Sequence, residues 1–550
     1  MRTLTRTMLY GCCTAAFATV ANAQTQTAPP PATGTSATGD IVVTAQRRSE
    51  SLNKVPIAIT VIQGDALRNV NATRLSDIQQ FAPSLQYTDT PAQPSYQIRG
   101  IGTEAYDYSV EQAVGIALDD VNITLPRVNP LNLIADIDRV EVLRGPQGTL
   151  FGKNTTAGLI SITTKKPQLG VYSDEGHVQY GSRGEVEAYD IVNLPISDTL
   201  AARFRAGYET SHSPIRNLAG PSIPDRRDYN FNGKILWQPT DRLSVYAIGD
   251  YQKSHGDSGT ATIRSYSAAP GTQYAPGKYY GAPYGAPYAG GYGFIQKILT
   301  GYGIVAGPDN DETAIDADNL HTSKVYGGQL SINYELAGGA NVTSVTAYRK
   351  EINDTNLEVD QTPLPVLDDN STNLSAYQLT QELRIASPTG SRFDYVAGLY
   401  YYHQRTHVAA IQAGTLGLVP NDSPIILQPN LSGGQDNTLV DSKSYAAFGQ
   451  AIYHFTDRFR VLAGARVTQD DLHTTYNVTA VPGICGALYG LLTHNPDLCQ
   501  FAGSVTPLDL SVITLPTAEQ LGHRKHSETR SSCRVPLWRL PLRERHGTPA

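Results

Sequence analysis

The stretch LAARFRAGYET, residues 200–210, decides the class of fold because its apolar and polar side chains alternate. Leu200 and Phe204 stand at one set of alternate positions, while Arg203 and Arg205 stand at the other. Successive side chains of a β-strand point to opposite faces of the sheet, so the segment is predicted to be a strand with one apolar face. Such a strand suits a soluble β-sandwich, or a membrane barrel with lipid outside and water inside.

The connections between similar segments separate these two folds. Long loops at 211–228, 254–323, 352–375 and 405–443 alternate with turns of only a few residues. Short turns at one end and long loops at the other are typical of an outer-membrane barrel, and they disfavour a sandwich. We therefore predict a mainly β protein with a large antiparallel transmembrane β-barrel. Its predicted strands are 176–182, 186–196, 200–210, 229–239, 243–253, 324–336, 341–351, 376–387, 394–404, 444–455 and 459–469.

The composition excludes several other classes of protein. Only 17% of the 550 residues are charged, against roughly 25% in ordinary soluble domains, and 32 are tyrosine. No segment after the N-terminus approaches the ~20 unbroken apolar residues of a spanning helix. The 49 glycines and 34 prolines disfavour a coiled coil, and the net charge of −7 gives no footprint for nucleic-acid binding.

The N-terminal third divides into three predicted parts. Residues 1–23 have a basic start, a short apolar stretch and an Ala-Asn-Ala cleavage site, which together indicate a signal peptide. Residues 24–50 form a flexible leader rich in Pro, Thr and Gly, which carries a short β-prone segment at 40–46. Residues 51–167 mix short strands with one helix and are predicted to form a compact domain.

Motifs for catalysis or for a cofactor are absent from the sequence. The glycines of 145–158 do not form a phosphate loop, because three residues, not four, separate Gly148 from Gly152, and Asn154 follows Lys153. The twelve histidines form no spaced ligand set, so we expect no metal site, no cofactor and no enzymatic activity. Cys485 and Cys499 suit a loop disulfide in an exported protein, or remain two free thiols.

One predicted outer loop is rich in tyrosine and contains a doubled Gly-Ala-Pro-Tyr unit at 281–288. Tyrosine offers apolar area and a hydroxyl group at low entropic cost, which suits capture of an aromatic or chelate ligand. The alternative is a surface spacer whose rings pack on one another or on lipid headgroups. The tyrosines of this loop are Tyr274, Tyr279, Tyr280, Tyr284, Tyr288 and Tyr292.

Several of these segments resemble the TonB-dependent outer-membrane receptors, in which a plug domain fills a β-barrel. VEVLRGPQGTLFG at 140–152 and ISITTK at 160–165 resemble the plug motifs of that family, and QELR at 381–384 resembles one of its barrel strands. The resemblance covers about residues 40–470 and makes 51–167 the plug. It also identifies a TonB box, formed by Asp40, Ile41, Val42, Val43, Thr44, Ala45 and Gln46.

This resemblance implies active uptake of a scarce ligand, such as a ferric siderophore, by a monomer in the outer-membrane lipid of a Gram-negative bacterium. TonB and its inner-membrane energising complex would be the partners, and TonB would pair with the box by strand addition. Arg99, Glu141 and Arg144 match family positions that lock plug to barrel, or they satisfy polar groups inside the plug. The rival functions are a passive porin and a structural barrel.

The C-terminal part departs from the family. Receptors of this kind close with ~22 strands, and the eleven segments lie in a partial barrel at 168–520. Residues 521–550 carry seven Lys or Arg against two Asp or Glu and show no alternation. Either a reading-frame break falls near 515–525, so that the chain is a truncated product unable to work alone, or the basic tail is genuine.

Overall fold

A computed structural model describes most of the predicted plug and barrel. The tyrosine-rich loop, Cys485, Cys499, the basic tail and three residues of the box (Asp40, Ile41 and Ala45) lie outside the described residues. Within the described part, no helix is long and apolar enough to cross a membrane. The described residues are 42–44, 46–48, 50–70, 72, 75–88, 95–103, 110–125, 136–265, 299–359, 361–363, 369–414, 432–456 and 459–481.

The plug is built on a five-stranded sheet in the order β3-β9-β10-β7-β8. The neighbours β7 and β10 are parallel, and the other three neighbouring pairs of this sheet are antiparallel. A three-stranded sheet, β4-β5-β6, stands beside it. Branched apolar side chains of the larger sheet, such as Ile62, Val140 and Ile160, are almost completely buried and form the core. The elements up to the end of the plug are β1 (Val42–Val43), β2 (Glu50–Ser51), β3 (Ile59–Gln63), α1 (Gly64–Asn69), β4 (Leu85–Thr88), β5 (Ser95–Ile98), β6 (Ile101–Gly102), β7 (Val114–Leu118), β8 (Val121–Ile123), β9 (Ile137–Arg144), α2 (Gly148–Phe151) and β10 (Gly158–Thr164), with short 3-10 helices at Leu52–Lys54 and Leu75–Gln80.

The second sheet, called here the wall, has eleven strands, each antiparallel to the next along the chain. The prediction of a mainly β protein with eleven barrel strands is therefore confirmed. Its strands are β11 (Ser173–Tyr180), β12 (Val186–Ser197), β13 (Leu200–Ser211), β15 (Arg226–Thr240), β16 (Leu243–Asp257), β18 (Leu320–Glu335), β19 (Asn341–Asn356), β20 (Asp369–Ala386), β21 (Phe393–Gly414), β22 (Ser432–His454) and β23 (Arg460–Val481). The two-residue strands β14 (Arg216–Asn217) and β17 (Glu312–Thr313) pair within the long connections, and a 3-10 helix occupies Ser182–Gly184.

The last strands are longer than predicted. β20 has 18 residues, β21 has 22 and β22 has 23, because each continues beyond the apolar part into polar sequence that was assigned to loops. Backbone pairing with the neighbouring strand is enough to hold such an extension, whereas the sequence pattern marks only the stretch with an apolar face. The predicted boundaries of these strands are therefore wrong where the strands extend into the long loops, and the loops 352–375 and 405–443 are shorter than predicted.

The two faces of the wall have opposite chemistry. Phe204 is 48% exposed and Leu399 is 61% exposed on the outer face, alongside Ile235 and Trp237. The inner face carries buried polar residues such as Lys234. Apolar side chains on an outer face, with polar side chains facing the interior, are the arrangement of a lipid-embedded barrel.

An arginine on the outer face should therefore be costly. We expect Ile235→Arg to lower the free energy of unfolding by about 2–4 kcal/mol, because the charge would enter the lipid. Urea unfolding of the full chain in lipid vesicles measures the loss. Val305→Arg is the control, since Val305 is 77% exposed in the connection before β18. Equal losses in the two variants would contradict the assignment of this face to lipid.

Candidate functional site

The box segment, residues 40–46, is docked against the plug where it is described. Its strand β1 pairs antiparallel with β2 over two residue pairs. The Val43 side chain is fully buried, in an apolar cluster that also contains Leu143 of the plug and Phe448 of the wall. The box segment therefore contributes to a core that plug and wall share.

A buried carboxylate fixes the next residue of the box segment. The backbone N–H of Thr44 donates to Glu141 Oε1 at 3.0 Å, and the Thr44 hydroxyl donates to the same oxygen at 3.2 Å. Arg139 Nε also donates to this oxygen, at 2.8 Å. Glu141 lies in β9 and is fully buried, so its carboxylate ties the box segment to an inner strand of the plug.

Arg47, just after the box segment, contacts plug and wall together. Its Nη1 donates to the carbonyl oxygen of Asp120 at 2.8 Å, and its Nη2 lies 3.3 Å from Glu382 Oε2. The guanidinium carbon lies 4.4 Å from the centre of the Phe151 ring. The residue adopts a φ of 59°, a conformation that is uncommon outside glycine and that these three contacts hold in place.

Asp120 extends this network into the wall. Arg384 Nη2 donates to Asp120 Oδ2 at 2.8 Å, and its Nη1 donates to Glu382 Oε1 at 2.8 Å. Burial alone would raise the pKa of Asp120, but the charges of Arg384 and Arg47 outweigh it and hold that pKa below its usual range. Glu382 and Arg384 both belong to the QELR motif, so the resemblance in this strand coincides with a plug–wall contact.

A second ion cluster joins the plug to the opposite part of the wall. Asp136, just before β9, accepts hydrogen bonds from Arg203 Nη2 at 2.7 Å and from Lys234 Nζ at 2.7 Å. Burial tends to raise the pKa of Asp136, yet the Lys234 charge and the Arg203 hydrogen bond lower it overall. All three side chains are more than nine-tenths buried, which makes the cluster sensitive to the loss of any partner.

Neutral and aromatic contacts complete the boundary. The Thr124 hydroxyl lies 2.8 Å from the Tyr402 hydroxyl and donates to Gln404 Oε1 at 2.8 Å. Lys153 Nζ donates to Ser442 Oγ at 3.1 Å and lies 4.6 Å from the centre of the Tyr402 ring. Hydrogen bonds therefore accompany the ion pairs along the inner face of the wall.

The three residues predicted to lock plug to barrel are placed differently from these contacts. Glu141 bonds Thr44 and Arg139, as described above. Arg144 Nη2 donates to Thr60 Oγ1 at 3.1 Å, within the plug, and Arg99 is exposed with a φ of 55°. The side-chain contacts described for Glu141 and Arg144 thus lie inside the plug and box segment, because both side chains turn toward their own sheet and its neighbours.

The residues that do cross the boundary were missed by sequence reasoning. Arg47, Asp120 and Asp136 belong to no motif used above, and their partners are distant in the chain. One signal could have indicated them. Arg203 and Lys234 stand on the polar face of wall strands, and a cation buried there requires an anion from the plug.

Metal ligands do not gather in this region. Among the described residues, no three His, Cys, Asp or Glu side chains are grouped so that they could hold a metal ion. The chemistry available to the site is therefore ion pairing and hydrogen bonding between the box segment, the plug and the wall.

Comparisons with known proteins agree with this arrangement. Residues 51–159 match the family model described as TonB-dependent Receptor Plug Domain. The pesticin receptor of Yersinia pestis is 30% identical over 169 residues, which are 29% of this chain and 24% of that receptor. Residues 51–159 are therefore a plug domain of the TonB-dependent receptor type. The vitamin B12 transporter of Vibrio vulnificus is 25% identical to this chain over 259 residues, 44% of this chain and 37% of the transporter.

The chain is also similar in fold to solved structures. The ferric yersiniabactin uptake receptor of Yersinia pestis superposes with a TM-score of 0.57 at 18% identity. The superposition covers 77% of this chain and 61% of that receptor, so the chain spans less than two thirds of its solved relative. A ferripyoverdine receptor of the outer membrane of Pseudomonas aeruginosa superposes with a TM-score of 0.58 at 14% identity, over 80% of this chain and 56% of that one.

Loss of the Glu141 carboxylate should loosen the box segment from the plug. Glu141→Ala removes a charge-assisted hydrogen bond worth about 1.5–3 kcal/mol. The fraction of molecules with an opened box segment should therefore rise by a factor of about ten or more. Trypsin cleavage after Arg47 and Arg48 in the folded protein reports that opening. Glu111→Ala, which removes an exposed carboxylate paired with Lys153, is the control. Equal cleavage rates in both variants would contradict the anchoring role.

The Asp136 cluster should make part of the chain's stability depend on pH in the acid range. Because the folded-state pKa of Asp136 is depressed below 3.8, its stabilising effect is complete above about pH 4 and is lost as the pH falls through the folded value. We expect the urea midpoint of the full chain to fall more steeply below pH 4 in the wild type than in Asp136→Asn. At neutral pH that variant should already be less stable by about 3–5 kcal/mol. Asp241→Asn changes an exposed residue in a turn and is the control, which should follow the wild type. Parallel pH profiles for the wild type and Asp136→Asn would contradict the prediction.

Proposed function

We propose that the protein takes up a scarce ligand, such as a ferric siderophore, across the outer membrane with energy delivered through TonB. One observation carries the proposal: the box segment is held on the plug by a short strand pair and by a buried carboxylate. A segment bound in this way can be exchanged for a partner strand and can transmit a pull. Neither a passive pore nor a structural barrel requires such a segment.

The β1–β2 strand pair is the part of the attachment in which a TonB strand could replace β2. β1 and β2 share only two residue pairs, and a ladder of this length is weak on its own. TonB would add its own strand to the box segment through main-chain hydrogen bonds, in competition with β2. The extended conformation of the segment is already present, which lowers the ordering cost of that exchange.

The Glu141 carboxylate is the part of the attachment that would transmit a pull to the plug. Glu141 holds Thr44 from within β9, and Asp136 binds Arg203 and Lys234 from the residue before the same strand. Glu141 lies five positions after Asp136 in extended chain, a span of about 17 Å. A pull on the box segment would therefore act along the strand that carries the buried ion cluster, and would loosen the plug from the wall.

Two relatives and one loop support the proposed class of ligand. A structural neighbour is a ferric yersiniabactin uptake receptor, and a sequence relative is a vitamin B12 transporter. The tyrosine-rich loop at 273–292, between β16 and β18, is our proposed ligand contact, since its rings offer apolar area and hydroxyl groups together. No catalytic step, resident cofactor or nucleic acid enters the proposal, and the working unit is a monomer in lipid with TonB and its energising complex as partners.

Deleting residues 40–46 tests the function. Cells that carry the variant should keep ligand binding at the surface but lose growth on the cognate ferric siderophore when it is the sole source of iron. Deletion of residues 27–33, an equally long piece of the leader, should leave growth unchanged. Uptake that survives the first deletion, or survives collapse of the proton gradient, would favour a passive porin.

A further inference from the structure

Arg205 is a buried cation whose hydrogen-bonding capacity is largely unused. It lies on β13, is 7% exposed, and turns to the inner face of the wall. Its Nη1 donates to Asn230 Oδ1 at 3.0 Å. Its Nε and Nη2 have no acceptor within the described part of the chain. A guanidinium buried with two free donors is costly unless something else satisfies them.

Arg203, two residues earlier on the same strand, shows what these two donors usually hold. Its Nε and Nη2 form one edge of the guanidinium and bind both oxygens of Asp136, at 2.7 to 3.2 Å. Such an edge is a rigid fork that matches an oxyanion. Arg205 presents the same edge, and no acceptor among the described residues bonds to it.

A cavity of about 70 Å³ lies beside Arg205, between the plug and the wall. Polar side chains line much of it, including the amides of Asn232 and Gln252. At roughly 10–15 Å³ for each water-sized probe, the space admits a small oxyanion together with a few waters. Its size excludes a large chelate.

The acidic groups around this cavity are already engaged. Asp136 is bound by Arg203 and Lys234, and Asp250 is bound by both terminal nitrogens of Arg349, at 2.7 and 2.8 Å. Asp119 accepts two hydrogen bonds from Thr164, at 2.9 and 2.7 Å. None of these three carboxylates accepts a hydrogen bond from Arg205, whose described hydrogen bond goes to Asn230.

We propose that this cavity binds a small oxyanion, a phosphate or a simple carboxylate, on the free Nε–Nη2 edge of Arg205. Asn232 and Gln252 line the same space and supply further amide donors. The anion would accept hydrogen bonds from the two unpaired donors of Arg205 and fill the polar gap between β13, β15 and the plug. This site is independent of the TonB-driven uptake proposed above.

Titration calorimetry on the full chain in detergent tests the site, with inorganic phosphate and formate as probes and sodium chloride holding the ionic strength constant. We expect one phosphate or formate per chain. Affinity should fall at least tenfold in Arg205→Gln. Arg227→Gln removes an exposed arginine of the neighbouring strand and should bind within twofold of the wild type.

Asn230→Asp keeps the test decisive if Arg205→Gln fails to fold. The substitution has nearly the same shape and places a carboxylate beside Arg205, so it should also weaken phosphate at least tenfold. The proposal is overturned if no binding heat is detected, since the cavity would then hold water only. It is equally overturned if phosphate binds Asn230→Asp as tightly as the wild type, or if several phosphates bind with one affinity in all variants.

Discussion

Charges between a polar plug and the inner face of a strand wall must meet opposite charges, because a lone charge away from water destabilises the fold by several kcal/mol. Asp136 between Arg203 and Lys234, and Asp120 between Arg47 and Arg384, satisfy that requirement on different parts of the wall. Each cluster allows only one placement of the plug against the wall, since a rotated or shifted plug would leave the charges of the cluster unpaired. The position of the plug, and with it the position of the box segment, follows from these two clusters.

The same boundary combines strong and weak attachments. The box segment is held by two residue pairs and by hydrogen bonds to Glu141, whereas the plug is held by several buried ion pairs and by the Thr124 and Lys153 contacts. A force applied at the N-terminal side would therefore release the strand pair before it reaches the ion clusters. β9 connects the weak attachment of the box segment with the strong attachment of the plug, because it carries Glu141 and begins directly after Asp136.

Plug and wall place different demands on the sequence. The family model matches the plug, where chain direction changes at residues with special geometry. Gly152 adopts a φ of 82°, and a side chain there would come within 2.8 Å of Arg466 Nη2. The wall needs only paired backbones and an apolar outer face, and its fold is shared with a relative at 18% identity.

Alternation and turn length are local properties of the chain, and they are enough to predict the β class, the eleven wall strands and their apolar and polar faces. The plug motifs were identified through their resemblance to a family. The side-chain pairs between plug and wall could not be predicted from either. Asp136 and Arg203 are separated by 67 residues and Thr124 and Gln404 by 280, so no local pattern could pair them. Arg99, Glu141 and Arg144 stood out in the sequence, yet Arg47, Asp120 and Asp136 join plug to wall. Which charges meet depends on strand register and on the position of the plug, and both exist only in the folded chain.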